Sequence, residues 1–93
     1  MSVVYSKNPD VVFRKIADEF ILVPVRQKVV DLKSIYTMND TAALVWELVD
    51  GKTGVSAIRD RVAGEFEVDI PQAELDVSEL IRQLESLGLI EKA

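Results

Sequence analysis

The sequence predicts an α+β fold, a three-stranded antiparallel sheet followed by a three-helix bundle in a winged-helix-like arrangement. Three observations carry that expectation. Two β-rich segments flank the short polar link Ala17-Asp18-Glu19. Apolar spacing changes from about two residues to nearly four after Met38. The helical region is then punctuated by Gly51 and Gly88, which suit helix ends.

Residues 1–10 are expected to be loosely structured, because Asn8-Pro9 favours an extended or turning entry. "VVFRKI" (Val11 to Ile16) is β-branched, aromatic and roughly alternating, and predicts a first strand. "FILVPV" (Phe20 to Val25) is continuously apolar, as in a buried strand, with Pro24 marking an end or an edge position. The short link between them predicts a hairpin. After the longer crossing "RQKVVDLK", "SIYTM" (Ser34 to Met38) reads as a third strand, Ile35 and Thr37 on one face, Tyr36 and Met38 on the other.

The first helix is expected to start near Asp40 or Thr41, either of which can cap it, with Asn39 or Asp40 serving the strand–helix junction by capping or by holding a turn rather than by contacting a ligand. It carries Ala43, Leu44, Leu48 and Val49 at helical spacing with Trp46 alongside, and stops at Gly51. Trp46 is expected to be buried. A second helix, about 55–66, is capped near Thr53 or Ser56 and shows Ile58, Val62 and Phe66 in one stripe. The third, about 71–87, has Asp69 as cap, Pro71 in its first turn and Gly88 at its end. Ala73, Val77, Leu80, Ile81, Leu84 and Leu87 form its apolar stripe, and Leu75 points almost the opposite way. "LIEKA" is left as a short extended tail. No repeat or linker divides residues 1–93, so one domain is expected.

Composition narrows the function. The chain has no cysteine and no histidine, which removes thiolate ligands, disulfides, the commonest nitrogen ligand and the best neutral-pH proton carrier. Neither a catalytic centre nor a metal site is expected, and no cofactor. The acids sit among helical polar positions, as on a solvated face. No apolar run approaches the roughly 18 residues of a membrane span, and no signal peptide is read at the N-terminus. A cytoplasmic protein is expected.

Two motifs fail on inspection. "GKT" at Gly51–Thr53 matches the end of a phosphate-binding loop, yet the position five before Gly51 is Trp46 where that loop needs glycine. A winged helix suggests DNA, but the balance is +2 over residues 1–38 and −7 over 39–93, giving −5 overall. The stretch from Glu65 to Glu91 holds eight acids and one basic residue, Arg82. Such a helix is repelled by phosphate backbones. No nucleic acid partner is expected.

The ordered set "NPDVVFRKIADEFILVPV", "YTMNDTAALVWELVDGKTGVSAI", "FEVD" and "LESLGLI" closely resembles the PqqD-like proteins. The likeness centres on Asn39-Asp40-Thr41-Ala42 running into Trp46 and Asp50-Gly51, and extends from about Asn8 to Ile90. It implies a RiPP recognition element: a non-catalytic peptide chaperone that binds the leader of a ribosomally made precursor peptide. The leader would add as a strand and be presented to a modifying enzyme, often a radical SAM protein. It further implies a peptide groove between the third strand and the third helix. The candidate residues are Lys33, Ser34, Ile35, Tyr36, Thr37 and Met38 on the strand, with Val77, Leu80, Ile81 and Leu84 on the helix. Val77 and Ile81 are expected at the edge facing the peptide. Glu74, Asp76, Glu79 and Glu85 would make its rim negative, favouring a leader with Lys or Arg. The alternatives are an adaptor for another protein on the same fold and, on a poorer footing, a winged-helix DNA-binding protein.

Overall fold

The computed structural model describes residues 3–26, 29–30 and 36–93. Its elements are strands β1 (Tyr5–Lys7), β2 (Val11–Ile16), β3 (Glu19–Arg26), β4 (Val29–Val30) and β5 (Tyr36–Met38), helices α1 (Asp40–Leu48), α2 (Val55–Phe66) and α3 (Ile70–Ser86), and strand β6 (Ile90–Lys92).

The expected hairpin is present, with β2 paired to β3 from Val11↔Pro24 to Ile16↔Glu19. Its loop is shorter than the link read from sequence, because Glu19 belongs to β3. Ala17 turns the chain with φ 55°, a left-handed value that a two-residue hairpin loop requires of its first residue. On the far edge of β3, Phe20–Leu22 pair with β5 and Val25–Arg26 with β4. The three expected strands are therefore antiparallel neighbours in the order β2, β3, β5, and the two-residue β4 extends the sheet. Pro24 lies between the β5 and β4 pairings, an edge-like position suited to a residue without an N–H.

The two-residue period of these strands divides the sheet. Leu22 and Met38 face the helices and are fully buried or nearly so, with Phe20 and Tyr36 packed beside them. All three helices lie on that side. Of the two junction residues Asn39 is the cap, its Oδ1 accepting the Ala42 N–H at 2.8 Å, so α1 starts one residue earlier than a cap at Asp40 or Thr41 gives. α2 runs over the expected residues but starts from Gly54 without a side-chain cap, so neither Thr53 nor Ser56 fills that role. α3 follows its signals closely. Asp69 Oδ1 accepts from Gln72 N at 2.9 Å, Pro71 sits in the first turn, and Gly88 turns the chain away at φ 75°.

The core is continuous from sheet to helices. Val45, Trp46 and Val49 of the α1 region, Ile58 and Val62 of α2, and Ala73, Val77, Ile81 and Leu84 of α3 are all buried. Trp46 is buried as expected, and Lys7 Nζ stands 5.4 Å from the centre of its ring. Leu75 projects from the bundle, 53% exposed.

The termini differ from the sequence reading. Residues 5–7 form β1, which pairs antiparallel with β6 through Tyr5↔Lys92 and Lys7↔Ile90. Asn8 reinforces the join by donating from Nδ2 to the Gly88 carbonyl at 2.8 Å. Tyr5, Leu89 and Ile90 thereby enter the core. β1 also fastens the α1–α2 turn, because Gly51 N donates to the Tyr5 carbonyl at 2.9 Å.

Candidate functional site

The block Asp50-Gly51-Lys52-Thr53 is a closed turn. Asp50 Oδ1 accepts from the main-chain N–H of Lys52 at 2.8 Å and of Thr53 at 2.7 Å, and Oδ2 accepts the Thr53 hydroxyl at 3.0 Å. These bonds, the Thr53 N–H foremost, hold the Asp50 carboxyl below its ordinary pKa. Gly51 takes φ 79°, a conformation that glycine adopts without strain. The Thr53 hydroxyl and two amides of the would-be phosphate loop are thus spent on Asp50.

A cleft of ≈ 370 Å³ lies between β5 and α3, closed at one end by the start of α1. Tyr36 and Thr37 supply its strand wall, and Asp76, Leu80 and Gln83 its helix wall. The Tyr36 hydroxyl donates to Gln83 Oε1 at 2.9 Å and ties one wall to the other. Partial burial raises the Tyr36 pKa, so this phenol remains a donor at neutral pH. The tie leaves the outer edge of β5 without a strand partner among the described residues. An unpaired edge offers main-chain donors and acceptors to an extended chain.

Among the described residues the cleft is polar at its rim and has one apolar side chain of consequence. Leu80 is partly exposed in it, between Asp76 and Gln83 on the same flank of α3. The carboxylates are Asp76, whose Oδ1 accepts from Gln72 Nε2 at 2.9 Å, and Glu79. Among the described residues no cation lines the cleft. Glu74 and Glu85 do not contribute: Glu74 lies 3.9 Å from Arg59, and Glu85 borders a separate hollow beside Val3 and Tyr5.

Of the ten candidate residues, Tyr36, Thr37 and Leu80 are brought together in this cleft. Lys33, Ser34 and Ile35 lie outside the described residues. Met38 turns inward and is 4% exposed. Val77 and Leu84 are fully buried and Ile81 is 5% exposed, so the expected outward edge at Val77 and Ile81 is core instead. The stripe 73, 77, 81, 84 is covered by the body of the protein, and the flank one step round, at 76, 80 and 83, opens to the cleft. Asn39, Thr41, Ala42 and Gln83 also line it, and none was a candidate. Their signal was positional: the α1 cap must follow β5 directly, and Gln83 stands three residues from Leu80.

No helix among the described residues is long and apolar enough to cross a membrane, and no group of potential metal ligands clusters among them.

The family model for coenzyme PQQ synthesis protein D (PqqD) matches residues 19–90, well over half of the chain. Two solved structures share the fold. TbiB1 in complex with the TbiA(beta) leader peptide superposes with TM-score 0.74 at 23% identity, covering 92% of this chain and 94% of that one. A lasso peptide synthetase B1 complexed with the leader peptide superposes with TM-score 0.76 at 21% identity, covering 94% and 96% respectively. No curated protein matches the chain.

Proposed function

The chain belongs to the PqqD family, and from that premise we propose that it is a non-catalytic peptide chaperone. It binds the leader of a ribosomally synthesised precursor peptide and presents the remainder to a modifying enzyme in the cytoplasm. The observation that carries this reading is the open outer edge of β5 facing α3 across the cleft. The two fold neighbours, each described as bound to a leader peptide, support it.

The leader adds as a strand along β5, with Leu80 beneath one of its apolar side chains and Asp76 and Glu79 beside a lysine or arginine. The magnitudes require all three contributions. Each strand-pairing hydrogen bond adds about 0.5–1.5 kcal/mol net, and an edge as short as β5 makes few of them. Ordering a disordered leader costs about 2–5 kcal/mol. Backbone pairing therefore roughly cancels the ordering cost. An apolar side chain buried over Leu80 adds about 1.5–3 kcal/mol, and the acidic rim sets preference and encounter rate more than affinity.

The modifying enzyme is a radical SAM protein on the family reading. The name of one fold neighbour favours a second reading, lasso peptide maturation. The genes beside this one separate the two. Binding itself is tested by titrating the labelled protein with the leader of a precursor peptide encoded nearby. Amide shifts are expected on 36–38 and 76–83, and shifts confined to the β2–β3 hairpin would overturn the placement.

A further inference from the structure

A second and larger cleft, ≈ 560 Å³, opens on the other side of α1. Its apolar surface comes from Phe13 and Phe20 of the hairpin, Leu44 of α1 and Phe66 at the end of α2. The two hairpin rings stack with centres 5.8 Å apart, and Phe13 is 41% exposed. Phe20, Leu44 and Phe66 pack against the core with one side, whereas Phe13 is not part of that packing and presents its ring to the hollow. One exposed ring, Phe13, beside the partly buried Phe20 and Phe66 around one hollow is the composition of a protein-binding anchor site.

The surrounding charge identifies what fits there. Asp40, Glu47 and Glu65 line the cleft, all exposed and none in an ion pair with a described residue. Lys7 also lines the cleft, but neither it nor Lys15 forms an ion pair with these acids among the described residues. Lys7 Nζ lies over the Trp46 ring and donates to the Glu47 main-chain carbonyl at 3.4 Å, while Lys15 Nζ stands 5.4 Å from the Phe20 ring centre. An apolar floor beneath three carboxylates and one lysine keeps a negative balance and complements a segment that pairs an aromatic or aliphatic anchor with arginine or lysine.

We propose that this cleft docks such a basic, apolar-anchored segment of the modifying enzyme. α1 separates it from the β5–α3 cleft: Thr41 and Ala42 face one hollow, and Ala43, Leu44 and Glu47 face the other. Leader and enzyme can thus be held at the same time, which presentation requires. The identity of the partner rests on the leader-presenting role; the chemistry of the cleft does not.

The test is selection of a random dodecapeptide phage library on the intact protein, scored against three single variants that retain the native circular dichroism spectrum. Selected peptides should be enriched in Lys or Arg beside Leu, Phe or Trp. Their affinity should fall at least about tenfold on Phe13→Glu, fall several-fold on Glu47→Lys with a weaker salt dependence, and hold on Leu80→Glu. Recovery of no such peptide overturns the proposal, as do peptides that survive both Phe13→Glu and Glu47→Lys. A concentration-dependent dimer in sedimentation that Phe13→Glu dissociates also overturns it, by assigning the cleft to a second copy. Leader binding is read separately through Leu80→Glu, so loss of one reading leaves the other standing.

Discussion

Tyr36 and Gln83, 47 residues apart in the chain, meet across the β5–α3 cleft through a 2.9 Å hydrogen bond from the phenol to Oε1. The bond ties together the two walls between which the proposed leader strand lies. Tyr36→Phe keeps the ring and removes the donor. Because the pair is open to solvent, the expected cost to the folded state is small, about 0.5–1 kcal/mol in a denaturant titration. A double cycle with Gln83→Ala isolates the coupling, which should be of the same size. A coupling near zero would show that the walls are held apart by packing alone.

Leu80 and Ile81 are neighbours in sequence with opposite roles. Leu80→Glu places a charge in the cleft and should abolish leader binding in a protein that still unfolds cooperatively. Ile81→Glu places the charge among core residues, since Ile81 is only 5% exposed. It should cost about 3–5 kcal/mol or more, a large share of the roughly 5–15 kcal/mol that stabilises a domain. Thermal melts of the two variants, run beside a leader titration, check both. A stable Ile81→Glu protein that cannot bind leader would return Ile81 to the peptide edge.

Asn39 is the α1 cap, and Asn39→Ala should lower stability by about 1 kcal/mol. Asp40→Ala should cost less, because Asp40 contributes only its charge in the first turn. Chemical denaturation of the pair decides between them. Asn39 also lines the β5–α3 cleft, so on the proposed function the alanine variant should weaken leader binding through a displaced helix start; restoring the cap with Asn39→Asp should recover both properties together.

The contrast between what was legible and what was not follows from where each signal resides. α3 could be bounded to within a residue because Asp69, Pro71 and Gly88 act through their own backbone neighbours. The hairpin was equally readable, since its two strands are adjacent in sequence. The β1–β6 pair was not. Each strand is three residues long, and each is stabilised by a partner more than 80 residues away. The exposed flank of α3 was misassigned for a related reason. A helical stripe shows which residues are apolar, but its width against the core depends on neighbouring elements that leave 77 and 81 covered and 80 open. The α1 cap was narrowed to Asn39, Asp40 or Thr41 and no further, because Asn, Asp and Thr are all competent caps within that distance.

The Asp50 turn makes a pH prediction. Its carboxylate accepts two main-chain amides and a hydroxyl in the folded protein, and these bonds place its folded-state pKa below the ordinary aspartate value of 3.8. A group whose folded pKa is depressed stabilises the fold above its unfolded pKa, and that contribution is lost as pH falls through the folded pKa. The expected window therefore opens near pH 4 and extends downward, where the unfolded state binds the proton first. Asp50→Asn keeps an acceptor oxygen for the amides and removes the titration. Melting temperatures of wild type and variant, taken from neutral pH into this acidic window, should differ most at neutral pH and converge below it. The group is fully exposed, so the difference should be modest and should shrink in salt. Parallel melting curves at every pH would show that the Asp50 charge does not stabilise the turn that Gly51 fastens to β1.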